Sequence, residues 1–225
     1  TLGLPDLIMT GWIYQRSQEL QIFGPAGTKD FVKNIKSAFF EDIKIRTVAP
    51  ENHTLAGLST STAEIQEGLV YKKNGVEVIA FRVDHGGGVE HAFGYKIIYN
   101  KKVVVISGDT NYSDNLIKYA KNCDLLIHEI ADAPLKVINN NAKVQGLMNY
   151  HTTPSEMAKV INAVNPKFTI LTHILALGGI SISEIHNKVL SSVNKDYRIE
   201  MAYDLMAIDI KENIQTYSID YSNEK

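Results

Sequence analysis

Four apolar β-formers, Val103, Val104, Val105 and Ile106, run straight into Ser107-Gly108-Asp109-Thr110. A run with no polar alternation reads as a strand covered on both faces. Such a strand needs a layer on each side, and because strands alternate with helices along this chain without an internal repeat, a stacked α/β architecture fits best. Its abrupt polar end matters equally, because active sites in such folds gather where rigid strands stop. Gly108 lets the backbone approach a neighbour closely, and Asp109 presents two oxygens there.

The same pattern recurs. Val76 to Val83 delivers Asp84-His85 and then Gly86-Gly87-Gly88; Leu125 to Ile127 delivers His128-Glu129; Phe168 to Leu171 delivers Thr172-His173. His151 lies on a loop pinned by Thr153-Pro154-Ser155-Glu156, a capping box with proline at the first helical position. One histidine at a strand end is more often a hydrogen-bonded structural residue than a ligand. His85, Asp109, His128 and His173, all placed alike, point instead to a site. Imidazole and carboxylate suit zinc and similar divalent metals, and a carboxylate between two ions is a known hydrolytic device.

The remaining elements fit around these strands. Leu4 to Ile8 opens a helix carrying Trp12, and Leu20 to Phe23 is a short strand. Thr28 caps a helix to about Glu41 with an apolar face of Phe31, Ile35 and Phe39. Residues 49–64 read as a polar loop with His53. Asn74-Gly75 and Asn100-Lys101 mark hairpins. Ser113 caps a helix to about Asn122, and Asn139-Asn140-Asn141 reads as a mobile surface loop. Ser181 and Glu184 cap a later helix, and Arg198 to Ile210 reads as strands. At 225 residues and 44% apolar, the chain can bury a core, and residues 1–225 are expected to form a single domain. The lone Cys123 is a small core residue, not half of an internal disulfide. No apolar stretch approaches the roughly 18 residues that span a bilayer, so no membrane partner is expected. The sequence starts at Thr1 without a methionine, which leaves the compartment open.

The runs GLPDL (3–7), FGPAGT (23–28), VDHG (83–86), FGYKI (93–97), ISGDT (106–110), HE (128–129), YHTTP (150–154) and LTHI (171–174) occur in an order that resembles the metallo-β-lactamase superfamily, in its branch of ribonuclease Z and arylsulfatase-like hydrolases. The resemblance implies a four-layer αβ/βα sandwich with a dinuclear zinc site at one edge, manganese being an alternative metal. It implies His85 as a ligand of one metal, Asp109 as the bridge, and His173 as a ligand of the second. His151 would act near the scissile group, and Glu129 would orient an imidazole. His128 is read as structural; His53, His91 and His186 are read as surface residues. The family's HxHxDH signature belongs immediately before GLPDL and has no substitute in residues 1–225. The chain therefore resembles an N-terminal truncation lacking the first strands. Asp204-Leu205 stands where the family has Asp-Gly.

These features lead to a metal-dependent hydrolase of phosphate or sulfate esters, acting on a small-molecule ester through a zinc-bound hydroxide. A tRNA 3′-processing endonuclease is the alternative. It is ranked lower because one tight hairpin fills the span between Tyr95 and Asp109, where such enzymes carry a long arm. The net charge of −2 offers no broad footprint for RNA either. On this reading tRNA is an unlikely partner, and a homodimer is admitted. A non-catalytic binding module of the same fold is the rival from another class.

Overall fold

The computed structural model describes residues 2–219. They divide into two compact units that meet between Gln66 and Glu67 in the sequence.

The first unit is built on helix α1 (Gly3–Ile13), strand β1 (Leu20–Gly24), helices α2 (Thr28–Ala38) and α3 (Phe40–Arg46), a 3-10 turn (Leu55–Leu58) and strand β2 (Thr60–Glu64). Ile8, Met9 and Trp12 of α1 pack on Val32 and Ile35 of α2 and on Leu58. The expected single helix from Thr28 to Glu41 is interrupted at Phe39, which ends α2 and precedes α3. Its cap is Gly27 at φ 90°, not Thr28, whose hydroxyl donates to Pro25 O (2.6 Å). The buried face follows Val32 and Ile35, while Phe31 and Phe39 stay partly exposed. The expected loop 49–64 contains β2, which pairs in parallel with β1. Its residues, Thr-Ser-Thr-Ala-Glu, are largely exposed and give no apolar alternation to read.

The second unit is a seven-stranded mixed sheet in sequential order: β3 (Gly68–Lys73), β4 (Val76–Val83), β5 (Ala92–Tyr99), β6 (Lys102–Ile106), β7 (Leu125–Asp132), β8 (Phe168–Ala176) and β9 (Ile199–Met201). The first four strands are antiparallel and the last four parallel, sharing β6. Both expected hairpins form, with Asn74 and Gly75, and Asn100 and Lys101, at positive φ as two-residue turns require. Helices α4 (Asp114–Ala120), α5 (Leu135–Asn140), α6 (Ala142–Met148), α7 (Pro154–Val164) and α8 (Ile182–Ser192) complete the βα connections. Ser113, Thr153 and Ser181 cap α4, α7 and α8, the last two in full capping boxes.

The core lies between the sheet and α4, α7 and α8. Phe81, Val105, Leu126, Ile130 and Leu171 meet Leu116, Met157, Ile161, Ile185 and Val189 there. On the other face, Leu125, Phe168 and Ile170 are covered by a ribbon of β10 (Met206–Ile210) and β11 (Ile214–Ser218). β11 lies beyond the last strand read from sequence. The expected mobile loop at 139–141 is instead the end of α5 and the start of α6. Asn141 caps α6 through its side chain, which accepts from the Lys143 and Val144 N–H groups. A run of asparagines serves a helix start as readily as a turn.

Candidate metal centre

β4, β6, β7 and β8 bring their polar ends to one edge of the sheet. Asp109 follows β6 through Gly108 at φ 69°. A β-carbon on Gly108 would lie 2.4 Å from Phe93 O. Gly108→Ala should therefore destabilise the fold by more than the ~1–2 kcal/mol of a left-handed L-residue alone, read as a lower urea midpoint. A wild-type midpoint would mean that the turn can shift without cost.

The Asp109 carboxylate is ringed by three imidazoles. Oδ2 is 3.2 Å from His85 Nε2 and 3.5 Å from His173 Nε2, and Oδ1 is 3.2 Å from His151 Nδ1. His151 Nδ1 is closer to Glu129 Oε2, at 2.9 Å, and its hydrogen bond is made there. Asp109 Oδ1, although near, receives no hydrogen bond, and His85 Nδ1 is also buried without a partner. Asp109, His151 and His173 each offer one ligand atom, all within 4.8 Å of one another. A carboxylate oxygen left unsatisfied among imidazoles is the environment a divalent cation completes, so the residues present fit a metal. A cavity of about 280 Å³, lined by Ser107, Gly108, Asp109, Glu129, Thr172 and His173 among others, opens onto the cluster.

His173 reaches this position through an irregularity. The β7–β8 register shifts between Glu129 and Ile130, and His173 takes φ 45° while the strand continues on both sides. Glu129 is held from several directions: Oε1 accepts the Thr152 N–H (2.6 Å), and Thr152 Oγ1 donates to Thr110 O (3.0 Å). Burial pushes the Glu129 carboxyl up to about 8, with the Asp109 charge acting the same way against the Thr152 hydrogen bonds. Burial also holds His151 below the usual histidine range, opposed by Asp109 and assisted by His173 and His85. Both directions favour a neutral Glu129–His151 pair sharing one proton.

The structure thus gathers His85, Asp109, Glu129, His151 and His173, which reach the site from strand ends and one capped loop. It places His151 as near Asp109 as His85 is, beside the expected ligands. Thr152 and Tyr150 lie within the YHTTP run, which assigns neither of them a role of its own. His128 stands apart, fully buried, with Nδ1 2.7 Å from Glu129 O. His53, His91 and His186 are half-buried and lie outside the cluster. His53 pairs with Glu51 (3.3 Å), and His186 Nε2 lies 3.0 Å from Ile199 O.

Burial pushes His128 down to about 4. Its folded pKa lies below its unfolded value, so stability is full above about pH 6.5 and falls as pH drops toward 4. The full effect is ~3 kcal/mol. Urea midpoints between pH 7 and 4 should show this slope, and His128→Phe should flatten it. An equal slope in the variant would assign the acid sensitivity elsewhere.

A layered mixed sheet with a His/Asp cluster at its strand ends is the architecture of the metallo-β-lactamase fold. The chain belongs to the beta-lactamase superfamily, whose domain profile matches residues 1–174. Relatives include ribonuclease Z of Methanocaldococcus jannaschii, 25% identical over 262 residues, covering 95% of this chain and 78% of that protein. Ribonuclease Z of Mycobacterium bovis is 25% identical over 210 residues, covering 92% and 74%. Among solved structures, the metallo-β-lactamase fold protein YhfI of Bacillus subtilis superposes with TM-score 0.59 at 16% identity, covering 89% of this chain and 69% of that one. The short form of human tRNase Z gives 0.56 at 22% identity, covering 93% and 74%.

Proposed function

We propose that this chain serves a metal-dependent phosphodiesterase that cleaves RNA, with precursor tRNA as the substrate class. The observation that carries the reading is the Asp109-centred cluster with its buried Glu129–His151 pair, in a chain similar over most of its length to proteins named ribonuclease Z.

This corrects the expectation that tRNA is an unlikely partner. That expectation rested on the tight β5–β6 hairpin, which leaves no room for an arm. The match to the Mycobacterium bovis ribonuclease Z runs over 210 residues and 92% of this chain, so no long insertion separates the two within it. Want of an arm in this span therefore does not separate ribonuclease Z from its neighbours. The net charge of −2 does not weigh against RNA either, because a whole-chain sum is silent about local phosphate contacts.

His85, Asp109 and His173 would hold the metal, and zinc suits their donor types. When bound, the metal supplies an activated water and neutralises charge on the phosphoryl oxygens. His151, oriented through Nδ1 by Glu129, is placed to hold a proton near the cleaved bond, and the raised Glu129 carboxyl keeps that proton within the pair. The 280 Å³ cavity beside Asp109 and His173 is large enough for a single nucleotide's reacting group but offers no deep specificity pocket.

The gene's full open reading frame, loaded with Zn²⁺ or Mn²⁺, should cleave a 3′-extended precursor tRNA in preference to aryl phosphodiesters and aryl sulfates. Turnover of aryl esters with no RNA cleavage would restore the small-ester reading. Inactivity toward both, with RNA still bound, would favour a binding module.

A further inference from the structure

Tyr150 precedes His151 and lays its ring beside His85. The two rings lie nearly parallel, with centroids 6.0 Å apart and planes 15° from each other. The same phenol ring rests on the glycine turn after His85. A β-carbon on Gly86 would come 3.0 Å from Tyr150 Cδ1, and one on Gly87 3.2 Å from Cε1. At Gly88 a β-carbon would meet nothing within 4 Å. All three glycines have positive φ, at 75°, 57° and 79°. Backbone conformation alone accounts for three glycines, and at two of them a β-carbon would also press on the Tyr150 ring.

His85 has few other holds. Its Nε2 faces Asp109 Oδ2 at 3.2 Å, and its Nδ1 is buried without a partner. The torsion that turns an imidazole about its Cβ–Cγ bond is broad, so one hydrogen bond leaves the ring plane loosely set. A flat aromatic neighbour narrows it. The backbones of both residues are fastened to one turn: Asp84 O accepts from Thr110 Oγ1 (3.1 Å) and the Asn111 N–H (2.8 Å), and Asn149 O accepts from Asn111 Nδ2 (3.4 Å). The peptides leading into His85 and Tyr150 are thereby tied to the same Thr110–Asn111 turn.

We infer that Tyr150 is a positioning residue that sets the plane of the His85 imidazole toward Asp109, and that the bare Gly86-Gly87 backbone exists to admit its ring. The inference rests on the reading of His85 as a metal ligand. Its test uses the 225-residue chain, with two readouts besides activity: the His85 imidazole resonances in metal-free, histidine-labelled protein, and Zn²⁺ affinity by competition with a chromophoric chelator. Tyr150→Ala should shift the His85 ring protons through loss of the tyrosine ring current and weaken Zn²⁺ binding by ~10–100-fold, the range for loss of a supporting partner. Tyr150→Phe should restore both. Gly87→Ala should reproduce the Tyr150→Ala phenotype, whereas Gly88→Ala, equally left-handed but facing open space, should leave both readouts near wild type. Wild-type resonances and affinity in Tyr150→Ala would overturn the proposal, as would Gly88→Ala matching Gly87→Ala. A wild-type chain with no Zn²⁺ affinity would overturn the ligand reading, while the His85 resonances would still decide whether the ring is set by Tyr150.

Discussion

Asp109→Asn should abolish measurable Zn²⁺ binding and, with it, hydrolysis. All three imidazoles of the cluster face Asp109, at 3.2 to 3.5 Å. Asparagine keeps its size, but it removes the negative charge and turns one oxygen into a donor aimed at the imidazoles. Loss of a supporting partner costs ~10–100-fold in metal affinity; removing the central anion should exceed the upper end of that range. The fold should survive, because Asp109 is partly exposed and stands outside the hydrophobic clusters. Metal analysis beside a urea titration checks this. Retained Zn²⁺ binding in Asp109→Asn would move the centre elsewhere.

The second large effect is expected at His151. His151→Ala should lower turnover by ~10²–10⁴-fold, the usual scale for a positioned acid or base, while leaving most of the bound metal in place. The expectation follows from Nδ1, whose hydrogen bond is made to Glu129 at 2.9 Å rather than to Asp109 at 3.2 Å. Equal losses of metal and turnover would instead make His151 a ligand, which its placement within 4.8 Å of the other donor atoms permits. Precursor-tRNA cleavage and metal content measured on one preparation separate the two outcomes.

The strand ends were legible because β6, β7 and β8 are covered on both faces, so their apolar runs stop sharply at the residues they present. Asp109 and His173 could be read on that ground, and the capping boxes at Thr153 and Ser181 from their own spacing; an orienting role for Glu129 came only with the family resemblance. What escaped lacks an apolar signature. β2 is mostly exposed and owes its strand state to pairing with β1. α5 buries none of its residues. The break at Phe39 is invisible because the apolar pattern continues through it. The cluster itself was only partly legible: Glu129 and Thr152 meet across 23 residues through a backbone N–H, which no spacing rule encodes. The low rank of tRNA rests on the short β5–β6 span and on net charge, and neither reports on phosphate contacts made locally.

At His173 the needs of folding and of chemistry diverge. An L-residue held at φ 45° costs ~1–2 kcal/mol, a strain tolerated only where the surroundings enforce it. Glycine would accept the same backbone without that strain, so the sturdier sheet is the one that has given up an imidazole. Selection for heat resistance alone would push this position toward glycine, and selection for turnover would push it back. A library of variants sorted by survival on heating, with no demand for activity, should therefore lose His173 early.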